Sequence, residues 1–116
     1  MNTFNFHLSN SDTQTITACL SVLPDLLPEF DALLPENFDR VLFYAGNAIT
    51  RIANRESKIH AEEARSIWIA LYLADMVNHG EIFAADDISR LCREHTFGIT
   101  KLLPKVESVL EQHLPK

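Results

Sequence analysis

Eight consecutive residues, Ile67-Trp68-Ile69-Ala70-Leu71-Tyr72-Leu73-Ala74, carry no charge. Their flanks repeat with a helical period, and at about 100° per residue the run circles a helix more than twice. A helix on a protein surface keeps a polar stripe, whereas this one reads as apolar all round. It belongs at the centre of a bundle or beneath a second molecule. The pattern predicts an all-α fold: a compact bundle of five to six helices around a central, almost wholly apolar helix at about 60–79. Three glycines are too few for the tight turns of a sandwich or barrel, and 116 residues suit one domain with one core.

Around this centre the remaining segments fall into place by period. Phe4, Phe6 and Leu8 alternate with polar residues as in a strand, but no second strand is legible, so 1–10 reads as an extended arm. Ser9, Ser11 and Asp12 offer N-caps for a helix near Thr13. Ile16, Leu20, Leu23, Leu27, Phe30 and Leu34 then follow at spacings of 4, 3, 4, 3 and 4. Pro24 and Pro28 interrupt that seam, which predicts two short acidic helices, 13–23 and 25–34, with a kink between them. Leu-Pro-acid recurs at Leu23, Leu27 and Leu34, a pattern suited to helix first turns. Further helices are expected at 36–57, 60–79 (closed by Gly80), 86–95 and 101–114, the last with Pro104 in its first turn.

Charge divides the chain unevenly. Residues 1–39 hold six acids (Asp12, Asp25, Glu29, Asp31, Glu36, Asp39) and no Lys or Arg, while the remainder holds ten of each sign. The first third therefore repels phosphate, which argues against nucleic acid, and it can attract a basic protein surface. Cys19 and Cys92 form no CxxC, so a reduced, cytoplasmic setting is expected. The N-terminus lacks the pattern of a secretory signal, and the longest apolar stretch is too short to span a bilayer. No membrane partner is expected.

Several residues could carry chemistry. Asp75 and His79 share an i, i+4 row, and His60 and Glu63 lie one turn apart at the start of the same helix. Together, His60, Glu63, Asp75 and His79 would serve a small metal- or ligand-binding enzyme. The blander reading makes His79 a dipole-favoured residue and Glu62 and Glu63 first-turn acids. Carboxylate-bridged di-iron bundles need Glu-x-x-His, which this chain lacks. Asp86 to Val109 can be laid out as helix-turn-helix, but its second helix offers only Lys101 and Lys105 as bases. Arg55–His60 and Arg90–His95 have an Arg-x4-His spacing that resembles helical ribonucleases of the HEPN class. That resemblance implies RNA cleavage by Arg55 and His60. The polar residue such enzymes place after the arginine is Glu56 in the first pair and is replaced by Leu91 in the second. There is no nucleophile elbow and no glycine-rich phosphate loop.

The expectation is a small, acidic, cytoplasmic protein-interaction module of the immunity, antitoxin or adaptor kind, without catalysis, cofactor or metal of its own. Asp25, Glu29 and Asp31 form one expected partner surface, and Phe43 and Tyr44, off the apolar arc of 36–57, form another. A homodimer is expected to cover the apolar central helix.

Overall fold

The computed structural model describes residues 3–5, 7–30 and 35–113. Asp31, together with Leu34 and Leu114 at two expected helix ends, lies outside the described residues. The order is β1 (Thr3–Asn5), α1 (Asn10–Leu26), α2 (Phe38–Ala53), β2 (Lys58–His60), α3 (Ala61–Asn78), α4 (Asp86–Glu94) and α5 (Thr96–His113). The all-α bundle expected from the sequence is the architecture found. Helix α3 packs against α1, α2, α4 and α5, and the buried hydrophobics form one cluster around it.

Helix α1 starts earlier than Thr13, at Asn10, because Ser9 and Asp12 build a capping box. The Asp12 N–H donates to Ser9 Oγ at 3.1 Å, and the Ser9 N–H donates to Asp12 Oδ2 at 3.3 Å. The expected break at Pro24 is absent: α1 is a single helix of 17 residues. Its seam of Ile16, Leu20, Leu23 and Leu26 is buried, and that packing carries the helix past the proline. Pro24 itself is exposed, so the missing amide bond lies toward solvent. Only after Leu26 does the chain tighten, into a 3-10 turn at Leu27–Glu29.

Helix α2 stops at Ala53, four residues short of the expected end. The reason is a Schellman cap: the Arg55 N–H donates to the Ile52 carbonyl and the Glu56 N–H to the Arg51 carbonyl. Arg55 takes the left-handed φ of 58° that this motif requires, a position glycine usually fills. Gly80 fills it at the end of α3, at φ 74°, with its N–H on Val77 and the Glu81 N–H on Met76. There the expected glycine cap is found.

Between α2 and α3 lies the second strand that the sequence did not reveal. Lys58–His60 pairs antiparallel with Thr3–Asn5, Thr3 opposite His60 and Asn5 opposite Lys58. Three residues are too few to display an alternating pattern. Helix α5 also departs from expectation by starting at Thr96 rather than 101, which places Gly98 inside the helix and Pro104 beyond its first turn. A β-carbon at Gly98 would overlap the Thr15 side chain, so glycine is here for close helix packing and not for a turn. The α4–α5 joint is held by Asn78, whose amide donates to the Cys92 carbonyl (2.9 Å) and to Thr96 Oγ1 (3.1 Å).

Candidate functional site

Helix α3 is not buried on every side. Ile67, Ile69, Ala70, Leu71, Leu73 and Ala74 are buried, but Trp68 and Tyr72 are not fully covered. With Arg65, Asp75 and His79 they form a partly open strip at spacings of 3, 4, 3 and 4, which is one line along a helix. A less covered stripe does cross the apolar run, at its two large aromatic residues. The chain's own helices cover the rest, so the run does not by itself require a second molecule.

The enzyme candidates on α3 do not assemble. His60 and His79 sit at opposite ends, roughly 28 Å apart at about 1.5 Å per residue. At the first end Glu63 is 1% exposed, and its carboxylate accepts from Arg51 Nε and from the His60 backbone N–H, both at 2.8 Å. Arg51 also reaches Glu56 at 3.3 Å. The two carboxylates hold the Arg51 guanidinium still more firmly protonated, the Glu63 hydrogen bond most of all. This network clamps the end of α2 to the start of α3. At the other end His79 Nδ1 lies 2.8 Å from the Asp75 carbonyl and 3.5 Å from Asp75 Oδ2, and the imidazole is exposed. It behaves as a helix-terminal residue. Among the described residues no group of three His, Cys, Asp or Glu is placed to hold a metal ion.

Neither Arg-x4-His pair lies within one helix. Arg55 forms the α2 cap, and His60 belongs to β2. Arg90 is exposed on α4, while His95 caps that helix with its Nδ1 3.3 Å from Thr15 Oγ1. Three more titratable groups are structural. Burial works to raise the Asp12 carboxyl, but the Ser9 backbone, the Ser9 side chain and Lys101 (3.4 Å) outweigh it and hold it below the usual carboxylate value. Burial pushes the Cys19 thiol up to about 12, with nearby Cys92 adding to the effect, and burial raises Cys92 too. Both thiols are therefore protonated and poorly nucleophilic near neutral pH.

The interaction candidates are more accessible. Asp25, at the end of α1, and Glu29, in the 3-10 turn, are exposed. Phe43 is 63% exposed and meets Tyr44 edge-on, ring centroids 5.2 Å apart. Sequence reasoning passed over Phe83 and Phe97, which are more exposed still, because both fell in segments assigned to connections.

It also missed a groove of about 320 Å³ between α3 and α5. Phe30, Trp68, Ile69 and Leu110 supply its apolar lining, with Arg65 from α3 and Glu107 and Glu111 from α5. Trp68 stacks on Tyr72 at 4.9 Å and 11°, and Phe30 leans on Tyr72 at 6.0 Å. The Trp68 indole N–H is buried without a hydrogen-bond partner among the described residues. Because Phe30 follows Glu29, the acidic end of α1 runs directly into this groove. A larger, more polar groove of about 520 Å³ separates the start of α1 from the end of α2, with Asn10, Gln14 and Arg55 in its lining.

No described helix is long and apolar enough to cross a membrane. Comparison with known protein families, with curated proteins and with solved structures returns no match, so function must be argued from these residues.

Proposed function

We propose that this chain is a cytoplasmic, non-catalytic interaction module that holds a protein partner with a basic surface. One observation carries the reading: exposed Glu29 directly precedes Phe30, exposed Asp25 lies four residues earlier, and Phe30 lines an apolar groove that Glu107 and Glu111 also line. Aromatic anchors ringed by charge are the usual anatomy of a binding surface, the apolar centre giving affinity and the rim giving encounter rate and selectivity. The alternative of an enzyme built on His60, Glu63, Asp75 and His79 finds less support, since those groups serve two separate structural ends of α3.

Native co-purification followed by mass spectrometry tests the reading, with Asp25→Asn/Glu29→Gln/Asp31→Asn as the control chain. A partner retained in low salt by the native chain and lost by the control is the expected result. Equal retention by both chains removes the acidic surface. The homodimer now draws its support from the exposed Phe43, Phe83 and Phe97 rather than from α3. Light scattering at micromolar concentration should read twice 13.2 kDa, and a monomeric mass removes the dimer.

A further inference from the structure

We infer that the α3–α5 groove receives a short amphipathic helix of the partner, seating one large apolar side chain with a Lys or Arg about one turn away. This inference rests on the interaction reading above and names the chemistry that the site selects.

Size comes first. About 320 Å³ lies at the floor of the range for small-molecule sites, roughly 300–1,000 Å³, and the groove is open rather than enclosed. It suits an anchor side chain better than a whole ligand. The lining points the same way, because it includes Trp68, and Trp is among the residue types that dominate binding energy. Trp68 and Tyr72 are already stacked, so the platform is formed before anything docks.

Charge then sets the occupant and its direction. Glu107 and Glu111 are exposed, stand one turn apart on α5 at about 6 Å, and have no ion-pair partner among the described residues. Across the groove Arg65 is already engaged by Glu62 at 3.5 Å. A docking helix therefore turns its cations toward Glu107 and Glu111 on α5. A helix meets that pattern naturally, since its i and i+4 positions repeat the Glu107–Glu111 spacing.

Trp68 is the one tryptophan of the chain, so its emission reports on the groove directly. The probe is a synthetic Ala/Lys helix of roughly 15 residues with a single central Leu. Two control peptides carry Ser for that Leu, or Glu for the lysines. The Leu/Lys peptide, titrated to millimolar concentration in low salt, is expected to shift Trp68 emission saturably. Glu107→Gln/Glu111→Gln should weaken it about tenfold, and both control peptides should fail. The two substitutions are at exposed sites, and circular dichroism verifies that the fold is retained. Absence of a shift overturns the inference, as does an equal response to either control peptide or an unchanged titration in the double variant. A concentration-dependent shift without peptide, matched by a dimer in light scattering, also overturns it by assigning the groove to a second copy. The broader reading is tested separately through the natural partner. Retention lost in the Asp25→Asn/Glu29→Gln chain but kept in Glu107→Gln/Glu111→Gln removes the groove alone, and retention by both removes both.

Discussion

Helix α3 shows two faces built from one uncharged run. On the arc formed by Ile67, Leu71 and Ala74, every side chain is buried against other helices of the same chain. On the strip of Arg65, Trp68, Tyr72, Asp75 and His79, the helix is only partly covered. Aliphatic residues mark the first face, and aromatic residues with one polar atom mark the second. Large aromatic side chains suit such a border because they bury much apolar area while part of the ring stays open. An uncharged run can therefore be core on one side and partly open on the other.

The largest effect that can break this comparison is in stability. Leu71→Ala should cost about 3–4 kcal/mol, as emptying a closed core site does, and Tyr72→Ala, one residue on, less than about 2 kcal/mol. Urea unfolding measures both. Equal costs would place Tyr72 in the core and leave no open strip.

The two ends of α3 sharpen the contrast. Glu63→Ala removes a buried carboxylate that answers the His60 N–H, and about 2–4 kcal/mol should be lost. His79→Ala removes an exposed pair and should stay within about 0.5 kcal/mol. A large loss at His79 would show that the open strip is more tightly packed than its exposure indicates.

The two helix caps should respond with opposite signs. Gly80→Ala forces a β-carbon into left-handed backbone and should destabilise by about 1 kcal/mol. Arg55→Gly relieves the same conformation at φ 58° and should stabilise by a few tenths, roughly 0.5 kcal/mol. Thermal unfolding resolves the sign of each.

The smallest effect is in pH. Asp12 titrates below its ordinary value in the folded chain, so its contribution is present above the unfolded carboxylate range, near ~3.9. That contribution is lost as pH falls through the lower folded value. Asp12→Asn should flatten the acid side of a plot of Tm against pH, and an unchanged slope would mean that Lys101 and Ser9 do not act on it.

These contrasts also explain what could be read in advance. The bundle, the central helix and the Gly80 cap were legible because period and glycine carry local signals. Arg55 hides the α2 cap, since nothing in an arginine announces a left-handed backbone. Gly98 misleads, because its role depends on Thr15 from a distant helix. The groove was illegible for the same reason: which side of α3 stays open is decided by where α1, α2 and α5 pack. The acidic first third was legible as composition. Its continuity with Phe30, Trp68 and Glu107 exists only in the fold.

The most direct test of a charge-ringed binding surface is the salt dependence of its affinity. The dissociation constant of the Leu/Lys peptide should be measured from Trp68 emission across a salt series. The native chain should be compared with the Asp25→Asn/Glu29→Gln/Glu107→Gln/Glu111→Gln chain. The native chain should bind more weakly as salt rises, and the neutralised chain should lose most of that slope while keeping the apolar contribution. Identical slopes in the two chains would contradict the central claim that these carboxylates select a basic partner.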